Sequence, residues 1–414
     1  MSARTLLARL VAGRDRRRDA ELDDWLAHRD RVDLRHRWRE ACLRAGLGAP
    51  VATPLGGMGM ACTPRVTHVQ PATWDTSAHL VILRPPGLTL GELEDAADEL
   101  AAGLGVWSIR LRPRGTDHVR VDLITTDPLA AVVPFLPYAP ADHLVLGVDE
   151  HGEVIAVRVD ELTHMVMQGA TRSGKSAAGY SLLAQLARRV DVDVVGIDPT
   201  GRLLGPWGAH PQGWRACGTA DAATRYELAM AGVVAEMDRR IANLPERADT
   251  LEVSAACPLL IVVLEEWAGV ARLVGHTRAK PSAVHRHVSR LLAEGAKVGV
   301  RVITLVQRAE AEVVGAFERD QALTRLSFGV SDANTLKMLH PDMSAEVAEL
   351  HATSPKGVAL LSTPEHRLVR IRAPWIGSYA AYVDVVQDSR RNNAAAPELP
   401  AAIPAIPAPL PAAA

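Results

Sequence analysis

The segment His164-Met-Val-Met-Gln-Gly-Ala-Thr-Arg-Ser-Gly-Lys-Ser176 constrains the fold of this chain more than any other. Its apolar run reads as a buried strand, Gly169 and Gly174 allow a tight turn, and a helix starts near Lys175. In such a turn the backbone N–H groups face inward at the positive end of the helix, which makes a cradle for phosphate. Gly169, Ala170, Thr171, Arg172, Ser173, Gly174, Lys175 and Ser176 are therefore the expected nucleotide-binding set. Lys175 would neutralise the β- and γ-phosphates of ATP, and the Ser176 hydroxyl would ligate Mg²⁺. Chance matches to this pattern occur, but few sit between a clear strand and a clear helix.

A phosphate loop needs a second acidic strand end to hold the metal and orient the attacking water. Leu259-Leu-Ile-Val-Val-Leu264 followed by Glu265-Glu266 meets that need, with Glu265 as the metal residue and Glu266 as the water-polarising base. The alternative is a pair of carboxylates that only cap a strand. A third strand, Arg301–Val306, ends in Gln307, whose amide is placed to contact the γ-phosphate. Asp198-Pro-Thr-Gly201 follows the strand Val192–Ile197 and reads either as a capped turn or as a contact near the nucleotide.

Strands at Met165–Gln168, Val192–Ile197, Leu259–Leu264, Arg301–Val306, Leu326–Val330 and Gly357–Leu361 alternate with helices at 175–189, 220–243, 282–297 and 344–351. That alternation predicts an α/β fold, a P-loop NTPase (RecA-like) motor domain with a parallel-rich sheet over 143–386. Residues 47–142 read as a small α+β domain, with strands His79–Leu83, Trp107–Leu111 and Val119–Ile124 and a helical stretch Thr89–Leu104 closed by Gly105. Residues 1–46 carry twelve Arg against eight Asp/Glu on amphipathic helical spacing. They read as a charged helical arm, either a solvated hairpin or a contact for DNA phosphate, anionic lipid or a partner. Residues 387–414 are Ala/Pro-rich and predict a disordered tail.

Composition removes several classes. The four Cys have no paired or ligand spacing, which argues against a disulfide framework or a zinc site. No apolar run approaches the ~20 residues of a membrane span, and no signal peptide is visible, so the expected location is cytoplasmic or peripheral at the membrane. A net charge of −2 means that any DNA contact must come from local clusters. Arg272, His276, Arg278 and Lys280 form one such cluster, equally readable as a solvated loop.

Taken together, His164–Ser176, Ile197-Asp-Pro199, Glu236-Met-Asp-Arg-Arg240 and Lys297–Arg308 resemble, in order and spacing, the motor of the FtsK/SpoIIIE family of double-stranded DNA translocases. Leu144–Gly147 with Gly152–Val159 resembles the family's lead-in hairpin, and residues 79–127 resemble its preceding small domain. Three departures stand out. Glu265 replaces the usual Asp, Leu305-Val306 replaces a small residue and Thr, and Asp332-Ala-Asn334 is shorter than the family stretch and lacks its Arg. No winged-helix segment or membrane-spanning part is recognisable, so the likeness is to compact transfer proteins of actinobacterial conjugative elements.

The resemblance implies an ATP-driven hexameric ring acting on double-stranded DNA in plasmid transfer or chromosome segregation, with a membrane-anchoring partner protein admitted. It also implies that a neighbour's arginine completes each site, for which Arg325 is the first choice and Arg290 the second. Lys175, Glu266, Gln307 and Arg325 are then the expected catalytic residues, and Ser176 and Glu265 the expected metal residues. Two other readings stand beside this one: a secretion or coupling ATPase acting on protein, and a nucleotide-binding regulatory module.

Overall fold

The structure, a computed structural model, describes residues 33–48, 62–70, 79–84, 88–135, 142–277, 279–309, 313–330 and 332–395. Contacts divide the chain into one unit over Met1–Pro128 and another over Leu129–Ala414. Most of the expected arm, residues 1–32, and residues 396–414 of the expected tail 387–414 lie outside the described residues.

In the first unit, α1 (33–44) is followed by β1 (Arg65–Gln70), β2 (His79–Leu83), α2 (Leu90–Asp95), α3 (Ala97–Leu104), β3 (Ser108–Arg114) and β4 (His118–Ile124). The four strands form an antiparallel sheet in the order β1-β2-β4-β3. The stretch Thr89–Leu104 is two helices, with Ala96 between them. Thr89 and Glu92 form a reciprocal capping box at the start of α2, and Gly105 closes α3 in the left-handed conformation. Trp38 and Cys42 of α1 are buried with Leu93, Leu100 and Val121. This segment of the charged arm thus belongs to the small unit's core, and residue 46 is not a boundary there.

The second unit is built on a ten-stranded sheet in the order β6-β5-β14-β13-β12-β7-β11-β10-β8-β9. Its parallel centre consists of β7 (Met165–Gly169), β8 (Val192–Asp198), β9 (Arg215–Cys217), β10 (Leu259–Leu264), β11 (Val300–Val306) and β12 (Thr324–Phe328). The antiparallel flank is β13 (Val358–Ser362), β14 (Val369–Arg372), β5 (His143–Asp149) and β6 (Val154–Arg158). Helices α4 (Lys175–Leu186) and α11 (Tyr379–Ala395) pack with one apolar cluster of the sheet, whereas α5 (Ala222–Ala242), α6 (Trp267–Leu273) and α7 (Ala283–Glu294) pack with the other. Three short helices, α8 (Ala316–Gln321), α9 (Ala333–Leu339) and α10 (Ala345–Ala352), surround β12 in sequence.

Cover on both faces explains why β10 reads as six apolar residues without alternation, all of them buried. Each such side chain contributes about 1.5–3 kcal/mol on burial. Two expected boundaries move. Trp375 N donates to Val133 O at 2.9 Å and Phe135 N to Trp375 O at 3.1 Å. Those bonds tie 129–135 to the motor unit, so the division falls after Pro128 and not at 142. Helix α11 also runs to Ala395, past the expected limit at 387, and Asn393 Nδ2 donates to Ala187 O at 3.1 Å.

Among the buried histidines of this unit are His164, His285, His340 and His351. Burial holds them below the ordinary imidazole value, at about 4, 3, 3 and 4 respectively. Nearby positive groups push the same way: Arg301 on His164, His276 on His285, Arg325 on His340 and Arg370 on His351. Because the folded values lie below the unfolded one, the unfolded chain binds more protons between about pH 4 and 6.5. The stabilisation is therefore complete above that window and is lost as pH falls, at up to about 1.4 kcal/mol per pH unit for each histidine. Thermal melts should show the midpoint falling steeply below pH 6, and a midpoint unchanged from pH 6.5 down to 4.5 would refute this assignment.

Candidate nucleotide site

The parallel strands deliver their carboxyl ends to one edge of the sheet. Gly169 ends β7, Asp198 ends β8, Glu265 and Glu266 follow β10, Gln307 follows β11 and Gly329 follows β12. Register fixes the alignment: Val306 stands beside Gln168, Phe328 beside Gly169, and Leu264 beside both Thr304 and Ile197. Strand β11 thus lies between the loop-bearing strand and the acidic strand.

The loop itself is held by close backbone approach. Gly174 has φ 109°, and a Cβ there would meet Gly357 N and Cα at 2.8 Å. Gly357 N donates to Ser173 O at 2.8 Å, so the turn before β13 braces the loop from one side. Arg172 also lies in the left-handed region, at φ 67°. Such conformations cost an ordinary side chain about 1–3 kcal/mol and cluster where a backbone is shaped for a ligand. Ala170, Thr171, Arg172 and Ser176 are exposed, whereas Lys175 at the first turn of α4 is 8% exposed. Its ammonium donates to Val306 O at 2.8 Å, across the end of β11. Burial lowers its pKa, opposed by the nearby Glu266 and Glu265.

Glu265 and Glu266 differ in their surroundings. Burial, with the charges of Asp198 and Glu266, pushes the Glu265 carboxyl up to about 8 against the pull of Lys175. Its Oε2 is buried with no hydrogen-bond partner. A carboxyl desolvated and crowded in this way is a poor free anion and a good ligand for a divalent cation. Mg²⁺ fits the donor set: Glu265 and Ser176 would hold it, directly or through water, and it would supply positive charge to the phosphate oxygens. Glu266 takes φ 49° as the residue before α6. That left-handed turn carries its carboxylate off the strand direction, and Gln307 Nε2 lies 3.4 Å from each of its oxygens. At that length the amide orients the carboxylate only weakly.

Asp198 resolves as a turn. One carboxylate oxygen accepts from Thr200 N, Thr200 Oγ1 and Gly201 N, and the other from Leu203 N and Leu204 N, at 2.8–3.0 Å. Arg325 is placed otherwise than expected. Its Nε, Nη1 and Nη2 donate to Ala322 O, Leu339 O and Arg319 O at 2.8–2.9 Å. The half-buried guanidinium is thus tied within its own chain, because three carbonyls at the end of short helices need donors. Arg290 is paired with Asp238 and Glu294 on the surface. His164 accepts from Val302 N at 2.9 Å and so staples β7 to β11.

Sequence reasoning missed a cavity of about 220 Å³ beside the loop, lined among others by Gly174, Ala177, Lys356, Arg372 and Trp375. Trp375 is 50% exposed there. The signal available was an apolar ring in a chain poor in aromatics, directly after a Pro, where β14 ends.

A phosphate loop, a buried acidic strand end and a polar side chain on the strand between them define a P-loop NTPase with a RecA-like sheet. No protein-family model matches the chain. DNA translocase SftA of Bacillus subtilis (strain 168) is 26% identical over 201 residues, covering 45% of this chain and 20% of that protein. DNA translocase FtsK of Leptospira interrogans is 23% identical over 348 residues, covering 75% of this chain and 34% of that protein. The chain is thus similar to DNA translocases of the FtsK/SpoIIIE type, and it spans between a fifth and about a third of these relatives' length. Among solved structures, EssC (ATPases 2 and 3) from Geobacillus thermodenitrificans superposes with TM-score 0.50 at 13% identity, covering 63% of this chain and 50% of that one. The pCW3 conjugation coupling protein TcpA with ATPγS gives TM-score 0.49 at 15% identity, over 86% of this chain and 99% of that one. Among the described residues, no helix is long and apolar enough to cross a membrane.

Proposed function

We propose that this chain hydrolyses ATP with Mg²⁺ and uses the energy to move along double-stranded DNA as a ring of identical subunits, a hexamer on the family resemblance. The observation that carries the reading is the convergence of Lys175, Glu265, Glu266 and Gln307 on one sheet edge beside the Gly169–Ser176 loop. Lys175 and the loop amides hold the phosphates, Ser176 and Glu265 hold the metal, and Glu266 takes a proton from the attacking water. Gln307, beside Glu266, is in place to register the terminal phosphate. The cavity lined by Ala177 and Trp375 is where we place the base. For Arg325 to supply a cation across a subunit contact, its guanidinium would have to leave Ala322 O, Leu339 O and Arg319 O.

DNA as the track is supported by the relatives' names, a duplex form of it by the family resemblance, and phosphate contacts would make it largely independent of sequence. The test is steady-state ATP hydrolysis without DNA, with single strands and with linear duplex. Duplex should raise the rate at least several-fold and single strands much less. A rate indifferent to duplex would remove DNA as the substrate while leaving the ATPase reading intact.

A further inference from the structure

Behind the phosphate loop runs a chain of buried polar groups that the hydrolysis scheme does not use. Ala309 N–H donates to Gln168 Oε1 at 3.0 Å, and Gln168 Nε2 donates to Ser327 Oγ at 2.8 Å. Ser327 Oγ lies 2.8 Å from His340 Nε2, and His340 Nδ1 lies 2.8 Å from Ser362 Oγ. Gln168, Ser327 and Ala309 are 0% exposed and His340 is 2% exposed.

The donor sequence follows from the first bond. A backbone N–H can only donate, so the amide oxygen of Gln168 must face Ala309 and its nitrogen must face Ser327. Ser327, having accepted, has its own hydrogen to give to His340 Nε2. In that arrangement the imidazole is the neutral tautomer with hydrogen on Nδ1, donated to Ser362. All bonds run one way, and every buried polar atom in the row is satisfied. A second proton on His340 would place two hydrogens between Nε2 and Ser327, in keeping with its depressed pKa.

The two ends of this row matter to the site. Gln168 directly precedes Gly169, and Ala309 lies two residues beyond Gln307. We propose that Gln168 is a positioning residue that ties the Gln307–Ala309 segment to the phosphate loop, and that Ser327 and His340 hold its amide in the working orientation. An apolar side chain at 168 would suffice for β7 to pack, as it does at Val166 on the same face, which is buried. A glutamine whose two ends bond different strands instead fixes the distance between the loop and Gln307. The proposal rests on the ATPase reading for its catalytic consequence, although not for the geometry.

The experiment compares wild type, Gln168→Leu, Ser327→Ala and Gln168→Glu in two measurements. For hydrolysis, Gln168→Leu should lower kcat by about 10- to 100-fold, with KM and the Kd for ATP within threefold of wild type. Ser327→Ala should fall between them, and it serves if Gln168→Leu does not fold. Gln168→Glu keeps an acceptor for Ala309 and should recover part of the loss. In a Gln307→Ala background, Gln168→Leu should cost nothing further. Amide exchange at Ala309 gives the second measurement, with protection lost in Gln168→Leu and kept in Gln168→Glu. An unchanged kcat, a loss shared equally by KM, additivity with Gln307→Ala or unchanged exchange at Ala309 each overturns the proposal. If wild type hydrolyses nothing, the ATPase reading fails, and the exchange result alone decides the positioning.

Discussion

Lys175→Ala should leave a folded protein that binds ATP about 10- to 100-fold more weakly and turns it over at least about 1,000-fold more slowly. The side chain is 8% exposed and spans from the first turn of α4 to Val306 O, 2.8 Å away. In the proposed reaction that ammonium exchanges the carbonyl for phosphate oxygens, a charge-assisted contact in a desolvated place. Removing it also deletes a positive charge that opposes protonation of Glu265, so the carboxyl is held more firmly in its neutral form and the fold should tolerate the change. Fluorescent-nucleotide titration and a phosphate-release assay separate the two effects. Turnover within tenfold of wild type would show that Lys175 does not face the phosphates.

Glu266→Gln should produce the opposite split, with ATP bound nearly as in wild type and hydrolysis reduced by about 100- to 10,000-fold, the range for losing a positioned general base. A glutamate at φ 49° is held where few non-glycine residues settle, and the conformation aims its carboxylate away from the strand and towards Gln307. Glutamine keeps the size and the strained turn but cannot take a proton from water. Single-turnover hydrolysis with a binding control reads this directly. Should Glu266→Gln retain full turnover, the base would have to be assigned elsewhere.

The positions of these two residues were legible in the sequence because short-range order sets them. A strand, a Gly-bracketed turn and a helix follow one another between His164 and Leu186, and an unbroken apolar strand ends in Glu265-Glu266. Parallel packing then brings both to one edge without further information. Gln307 was placed by the same logic, and the structure sets it against Glu266. Arg325 was not legible, since its partners Ala322, Leu339 and Arg319 are carbonyls that no side-chain pattern announces. The Gln168–Ser327–His340 row escaped for a related reason: its members lie on β7, β12 and the end of α9, and only the pairing of Ser327 with Gln168 brings them together. Asp198 was ambiguous because a turn carboxylate and a ligand contact share one sequence signature, and five hydrogen bonds from its own loop decide for the turn. The extent of α11 was obscured by its alanines and asparagines, which read as tail until Asn393 Nδ2 is seen donating to Ala187 O.

The central claim joins hydrolysis at this edge to movement along duplex DNA, and strand displacement tests it most directly. A labelled third strand bound near one end of a linear duplex is released when a motor runs into it. With ATP and Mg²⁺ the protein should release that strand at a rate that rises with ATP concentration, while Lys175→Ala and Glu266→Gln release none. A wild-type protein that hydrolyses ATP in the presence of duplex yet leaves the third strand in place would contradict the account.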